Sequence, residues 1–91
     1  MIIRWSNEKN DWLKKHRNVC FEQIAILIER EEVLDVIEHP NQNEYSGQKV
    51  AVIEIDDYAY LAPYVQQGED IFLKTIIPSR KATKKYLRGE K

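Results

Sequence analysis

The sequence contains one cysteine, Cys20, and two widely separated histidines, His16 and His39. A single thiol forms no internal disulfide, which is typical of a reducing compartment. One cysteine and two distant histidines also lack the ligand spacing of a zinc site. We therefore expect neither a metal nor another cofactor. Cys20 lies at the predicted start of a helix, which is a plausible structural position and argues against a catalytic thiol.

Long apolar runs are also absent. No stretch approaches the roughly 20 apolar residues of a membrane helix, and the N-terminus lacks the apolar segment of a signal peptide. We therefore expect a cytoplasmic protein that does not contact a membrane. The length of 91 residues predicts a single domain over residues 1–91 with one modest core. A hydrophobic content of 43% with 32% charged residues indicates a folded chain.

Positive charge is concentrated at one end of the chain. Residues 74–91 include seven basic side chains and one acidic one, a net charge of +6, whereas the first 73 residues carry −7. The total of −1 argues against indiscriminate coating of nucleic acid. The basic end instead predicts a local contact with nucleic acid or with an acidic partner.

Hydrophobic periodicity predicts a strand and two helices in the first third of the chain. The strand runs from Ile2 to Trp5. Ser6 is then placed to cap a helix with the sequence "NEKNDWLKKH", in which Trp12 and Leu13 are expected to be buried. A second helix begins at Cys20, where a capping-box spacing precedes an apolar stripe. The stripe consists of Phe21, Ile24, Ala25 and Ile28.

Runs of branched residues then predict strands at 33–39, 49–55, 58–65 and 71–77, with a loop over 40–48. Asp56 and Asp57 predict a tight hairpin, although the usual glycine is missing. Pro63 predicts an edge or irregular position in its strand. A last helix, "RKATKKYL", follows Pro78, with Ser79 as its cap and Gly89 as its stop.

This order of elements predicts the α+β class. We expect a small twisted antiparallel sheet of three or four strands, with a possible short N-terminal strand in addition. The two N-terminal helices and the C-terminal helix would lie on one side or at one end of the sheet.

The basic last helix is the first candidate site. Helical spacing predicts that Ala82, Thr83, Tyr86 and Leu87 dock on the sheet. Arg80 lies in the first turn, where a guanidinium and backbone donors can face one anion. The other basic residues either solvate the helix or steer the backbone of an RNA. They are Lys81, Lys84, Lys85 and Arg88.

Lys74 and Glu54 are charged residues within strongly apolar runs. One interpretation is a structural cross-strand pair between them. The other is that both line a polar face, where Lys74 stabilises developing charge and Glu54 acts as a base.

Tyr58, Tyr60 and Tyr64 alternate along one predicted strand. They either pack against an apolar layer or serve a nucleic-acid site, by stacking on a base or by donating a phenolic proton. Tyr60 is the candidate for catalysis among them. His16 falls on the apolar face of its helix and His39 at a strand end, and both are weak candidates for acid–base chemistry.

Two segments resemble the BrnT-type toxins of bacterial toxin–antitoxin pairs. These toxins begin with Trp-x-x-x-Lys-x-x-x-Asn, continue through Lys-His and Val-Ser-Phe-Glu, and end in Ile-Ser-Ala-Arg-Lys-Ala-Thr before a basic helix. The matching residues of the first segment are Trp5, Lys9, Lys15, His16, Val19, Phe21 and Glu22. Those of the second are Ile77, Arg80, Lys81, Ala82 and Thr83. Thr75 stands where the family usually has arginine, and Tyr86 where it has an acid.

The resemblance implies a RelE-like fold and a type II toxin that inhibits growth by metal-independent cleavage of RNA, free or ribosome-bound. It also implies neutralisation by a small DNA-binding antitoxin, with a possible higher-order complex of the two. RNA supplies its own nucleophile, the 2′-hydroxyl, so the protein would provide a base, an acid and cations. Arg80 and Lys74 would be the cations. The alternative is a non-catalytic RNA- or protein-binding module of the same fold that uses the C-terminal basic face.

Overall fold

The computed structural model describes residues 1–44 and 47–89. Two helices, α1 (Asn7–His16) and α2 (Phe21–Glu29), follow the first strand. The strands are β1 (Ile3–Trp5), β2 (Asp35–Glu38), β3 (Gln48–Ile55), β4 (Tyr58–Gln67), β5 (Asp70–Leu73) and β6 (Ile77–Pro78). A short helix, α3 (Arg80–Ala82), continues as a π-helical turn over Thr83–Leu87, and we call the two together the C-terminal helix. Tyr45 and Ser46 of the predicted loop lie outside the described residues.

The strands form one mixed sheet in the order β1-β5-β4-β3-β2, and β6 pairs with β4. Strand β1 runs parallel to β5, and the other pairs are antiparallel. The predicted α+β class is therefore confirmed. The predicted antiparallel strands are present as β2 to β5, and so is the possible N-terminal strand, β1. The sheet differs from the prediction in being mixed, because β1 runs parallel to β5, and in having the separate short strand β6. Local periodicity shows strands but not their distant partners, and Ile3 pairs with Ile71.

One side of the sheet, here called the helix face, packs against α1 and α2. Leu13, Phe21 and Ile24 from the helices are fully buried there. The strands contribute small and branched side chains to the same cluster, including Ala51, Ile53, Ala62, Leu73 and Ile76. This layer is the main core of the protein, and burial of its apolar surface is the main stabilising contribution.

A buried asparagine joins the two helices of this layer. The Asn10 side chain, 4% exposed, accepts a hydrogen bond from the Phe21 N–H at 2.8 Å and donates to Glu22 at 2.7 Å. The bond from Asn10 is the main reason that the pKa of Glu22 lies below its ordinary value. The predicted caps are also present, since Ser6 Oγ accepts from the Lys9 N–H and the Cys20 N–H donates to Gln23.

The predicted burial of Trp12 is wrong, because the side chain is 38% exposed. Its ring lies against cationic neighbours, with Lys9 Nζ 4.3 Å and Arg17 Cζ 4.9 Å from the ring centroid. The helical stripe places Trp12 one position from the buried Leu13, at the margin of the core. There the large ring covers the stems of charged side chains.

The predicted last strand over 71–77 is divided by an irregular segment at residues 74–76, between β5 and β6. The alternation changes phase there, so that Ile76 is buried on the helix face with Leu73. Arg17 reaches this segment and donates to the Ile76 carbonyl at 2.6 Å. Pro63 lies opposite, in the central strand β4, and its carbonyl accepts from the Lys74 N–H. Because the paired strand is interrupted beside Pro63, the missing N–H breaks no regular ladder bond.

The turn between β3 and β4 consists of Asp56 and Asp57, both with positive φ, at 51° and 63°. Two positive φ values define the hairpin turn whose twist matches that of the flanking strands, and aspartate tolerates this conformation. The predicted glycine-free hairpin is thereby confirmed. No helix among the described residues is both long enough and apolar enough to span a membrane.

Candidate nucleic-acid interface

The side of the sheet opposite α1 and α2, here called the open face, is only partly covered. The C-terminal helix packs on it through Ala82 and Thr83, which are buried, and through Tyr86 and Leu87, which are half-buried. These are the four residues predicted to dock. They meet Val52 and Ala59, together with Leu61. The prediction that all three helices lie on one side or at one end of the sheet is wrong, because the C-terminal helix packs on the face opposite α1 and α2. The rest of the open face is accessible to solvent or to a ligand.

Two hydroxyl groups fix the start of the C-terminal helix. Ser79 Oγ caps it by accepting from the Ala82 N–H at 3.0 Å. Thr83 Oγ1 accepts from the buried Ala59 N–H at 2.8 Å and donates to the Ser79 carbonyl at 2.8 Å. The helix is thus hydrogen-bonded directly to β4, which holds its basic residues in place relative to the sheet.

A groove lies between the C-terminal helix and the open face, and we call it the helix groove. Its floor is apolar, formed by Ile37, Val52, Leu61 and Ala82. Lys81 and Lys85 line it from the helix, and Lys85 Nζ lies 5.2 Å from the centroid of the Tyr86 ring. The sequence analysis predicted that both lysines solvate the helix or steer the backbone of an RNA. In the fold they line a concave surface.

A tyrosine–aspartate pair lies at one end of the helix groove. The Tyr86 hydroxyl donates to Asp35 Oδ2 at 2.6 Å. This bond is the main cause of a pKa for Asp35 below its ordinary value and of a raised pKa for Tyr86. The sequence analysis did not identify the pair because its members are 51 residues apart. Only the predicted docking of Tyr86 pointed toward a contact with the sheet.

A second concavity of about 330 Å³, here called the sheet cleft, lies on the open face beyond the C-terminal helix. Phe72 of β5 lies at its centre, and its neighbours in register are Arg4 of β1 and Val65 of β4. Lys74, Gln67, Asp70 and Ile71 complete the lining. Arg4 and Phe72 are residues that the sequence analysis missed. Strand alternation places Phe72 on the same face as the predicted Lys74, whereas Arg4 comes beside them only through the pairing of β1 with β5.

Glu54 and Lys74 lie on the open face but do not meet. Glu54 pairs with Ala59 across β3 and β4, and Lys74 bonds to Pro63 on the far side of β4. Strand spacing and rise put their Cα atoms roughly 16 Å apart. The predicted cross-strand pair between them is therefore wrong, because β4 separates the two strands. Lys74 is also more exposed than its apolar neighbours suggested, since it lies beyond the end of β5.

Tyr60 lies on the helix face, opposite the other catalytic candidates. It pairs with the buried Ile53 and packs at the margin of the main core. Its ring meets that of Tyr58 edge-on at 5.8 Å, and Tyr64 on the same side is buried, which raises the pKa of Tyr64. This geometry favours the packing interpretation of the tyrosine stripe.

Arg80 is exposed at the first position of the C-terminal helix. Within residues 1–44 and 47–89 its side chain has no hydrogen-bond or ion-pair partner, and Arg80 does not line the helix groove. Lys84 is likewise exposed. Arg88 lies at the other end of the helix and forms an exposed ion pair with Asp57 of the hairpin turn at 3.3 Å.

The two histidines lie away from these cations. His16 is exposed at the end of α1, and its Nδ1 lies 3.0 Å from the Trp12 carbonyl oxygen. His39 Nδ1 accepts a hydrogen bond from the Asn41 N–H at 3.1 Å. The described residues contain no group of three or more histidine, cysteine or acidic side chains arranged to hold a metal ion.

The arrangement on the open face suits an extended anion. Apolar surface and one exposed aromatic ring are flanked by guanidinium and ammonium groups, which bind phosphate through charge-assisted hydrogen bonds. Comparison of the chain with protein-family models, with curated proteins and with solved structures finds no match.

Proposed function

We propose that the protein is a toxin of the BrnT type, with a RelE-like fold, that binds RNA on its open face and cleaves it without a metal. A cognate antitoxin, a small DNA-binding protein, would neutralise it in the bacterial cytoplasm. The observation that supports this proposal best is the set of cations around the open face that have no acidic partner among the described residues. They are Arg4, Lys74, Arg80 and Lys81.

In the proposed reaction an RNA 2′-hydroxyl gives its proton to a base and attacks the adjacent phosphorus. The bond from phosphorus to the 5′-oxygen of the next nucleotide breaks, this oxygen takes a proton from water, and a 2′,3′-cyclic phosphate remains on the other fragment. Cations next to the phosphate stabilise the negative charge that develops on its oxygens. In this proposal Lys74 and Arg80 provide that stabilisation, while Lys81 and Lys85 hold the strand beside the reacting phosphate. A proton acceptor on the open face would be a carboxylate such as Glu54.

Expression of the chain in bacteria tests the proposal. The wild type should arrest growth, and arrest should be relieved by Lys74→Ala or Arg80→Ala in protein that still folds. Arg30→Ala, which removes an exposed cation at the end of α2, is the matched control and should leave arrest unchanged. Toxicity that survives both test substitutions would show that these residues do not form the site.

A second function is favoured by one observation: the four predicted catalytic residues do not converge, since Tyr60 lies on the helix face and Glu54 lies far from Lys74. We propose as the alternative an RNA-binding module that does not cut. Incubation of labelled RNA with stoichiometric protein distinguishes the two functions. New fragments that disappear in Arg80→Ala favour the ribonuclease, and salt-sensitive binding without fragments favours the module.

A further inference from the structure

The sheet cleft combines an exposed aromatic ring with two cations. Phe72 is 39% exposed at the centre of the open part of the sheet. Arg4 lies beside it across the parallel β1–β5 pair, and Lys74 Nζ lies 5.5 Å from the ring centroid. Arg4 and Phe72 are register partners in paired strands, and Lys74 follows directly after the last residue of β5. The sheet therefore fixes the spacing of Arg4 and Phe72 and places the backbone of Lys74 next to them.

Contacts within the described protein do not account for the positions of these three side chains. In the part of the chain that the structure describes, the Arg4 side chain makes neither a hydrogen bond nor an ion pair, and the only side-chain contact recorded for Lys74 is with the Phe72 ring. An apolar ring left exposed between two unpaired cations stabilises the free protein little. It provides what a ligand with a flat ring and negative charges requires.

Nucleotides of a single strand have this combination of groups. Bases stack on exposed aromatic side chains, and the flanking phosphates bind arginine and lysine. We infer that the sheet cleft holds one nucleotide of a single-stranded RNA, with its base stacked on Phe72 and its phosphates bound by Arg4 and Lys74. This inference rests on the proposed function, because it takes RNA as the ligand, but it assigns a binding position separate from the helix groove.

The acidic and amide groups of the cleft fit the edge of a base better than a phosphate. Asp70 Oδ1 already accepts a hydrogen bond from the Ile2 N–H at 3.2 Å, and Gln67 pairs with Asp70 across the β4–β5 hairpin. Both lie on the opposite side of Phe72 from Lys74 along β5. The cleft is thus positive at one end and hydrogen-bonding at the other, which orients a nucleotide. An acidic peptide would meet Asp70 as a like charge.

Binding of a short 2′-O-methyl RNA, which lacks the 2′-hydroxyl nucleophile, tests the inference without interference from cleavage. Fluorescence anisotropy should show that Phe72→Leu binds this RNA about tenfold more weakly, because stacking on an aromatic contributes about 1–3 kcal/mol per base. Phe72→Tyr should bind like the wild type. Arg4→Gln should bind more weakly and should reduce the salt dependence of the affinity.

Two controls match these changes. Ile77 has the same 39% exposure as Phe72 and pairs with Leu61 outside the cleft, so Ile77→Val should leave binding unchanged. Arg30→Gln removes a charge away from the open face and should also have no effect. Thermal unfolding of each variant verifies that the substitution leaves the fold intact.

Wild-type affinity in Phe72→Leu, or no binding of this RNA by the wild type, would overturn the inference. The outcome is separable from that of the proposed ribonuclease. If binding requires Phe72 but native RNA is not cleaved, the nucleotide position in the sheet cleft is supported and the ribonuclease activity is contradicted. If cleavage requires Arg80 but proceeds normally in Phe72→Leu, the ribonuclease activity is supported and the nucleotide position in the sheet cleft is contradicted.

Discussion

At the scale of single residues, Asp35 performs two tasks at the edge of the sheet. One carboxylate oxygen accepts from Tyr86 and the other from the N–H of Val36, at 2.6 and 2.8 Å. Strand β2 is an edge strand, and its ladder to β3 leaves the Val36 N–H pointing outward. Occupying that donor reduces the capacity of the edge to pair with another chain.

The Tyr86–Asp35 bond predicts a stability difference that depends on pH. The pKa of Asp35 lies below its ordinary 3.8, so its contribution is lost as the pH falls through the folded-state value. The pKa of Tyr86 lies above its ordinary 10.0, so the contribution of Tyr86 to stability is lost as the pH rises through the raised folded-state pKa. Tyr86→Phe should therefore lower the urea midpoint at pH 7, and the difference from the wild type should shrink below pH 3.8.

Tyr58→Phe is the control, since the structure records no hydrogen bond of the Tyr58 hydroxyl within the described chain. It should change the urea midpoint little at either pH. A Tyr86→Phe effect of the same size at pH 7 and at pH 3 would show that lost packing, and not the bond to Asp35, is responsible.

At the scale of elements, the C-terminal helix depends on hydroxyl groups as well as on apolar contact. It begins at a serine cap and widens to a π-turn, in which the Arg88 N–H donates to the Thr83 carbonyl at 3.1 Å. Its apolar cluster is small compared with the main core. The bond from the Ala59 N–H to Thr83 therefore makes a large relative contribution to docking.

The same substitution at two threonines should change the free energy of unfolding differently. Thr83→Val leaves the buried Ala59 N–H without a partner and should lower the free energy of unfolding by about 1–3 kcal/mol. Thr75 Oγ1 is buried and has no hydrogen-bond partner among the described residues, so Thr75→Val should be neutral or stabilising. Urea unfolding of both variants measures the contrast, and equal losses would contradict it.

Local signals predicted the elements well. The serine caps at Ser6 and Ser79, the glycine-free turn at Asp56 and the docking face of the last helix follow from short-range chemistry that the sequence displays directly. The interruption at residues 74–76 did not follow, because the run "IFLKTII" has no turn former. Only the position of Pro63 opposite this run favours the break, and that proximity exists only in the folded sheet.

At the scale of the whole molecule, the charge asymmetry of the sequence becomes an asymmetry of faces. The described cations of the basic C-terminal segment lie along one side of the open face and on the helix that borders it. The opposite face of the sheet, the helix face, is covered by α1 and α2. The candidate site could be predicted only in part. The C-terminal cations are visible in sequence, whereas Arg4, Phe72 and Asp35 join them through strand pairing over long separations.

This arrangement predicts how the proposed binding of RNA responds to salt. Each phosphate contact of a single strand contributes about −0.7 to the slope of log affinity against log salt concentration. Replacing both Lys81 and Lys85 by glutamine should therefore reduce the magnitude of the slope by about 1.4. The double variant Lys15→Gln with Arg30→Gln removes equal charge outside the open face and should keep the wild-type slope. Anisotropy titrations over a range of salt concentrations measure both, and equal slopes for the two double variants would contradict the assignment.

The parallel pairing of β1 with β5 has a consequence for the order in which the protein forms during synthesis. Ile3 leaves the ribosome early, but its partner Ile71 follows 68 residues later, and chains grow at about 5–20 residues per second. The first strand therefore has no place in the sheet until most of the chain has emerged, and the helix that borders the open face comes later still. The surface that we propose binds RNA is therefore completed after α1, α2 and most of the sheet have emerged.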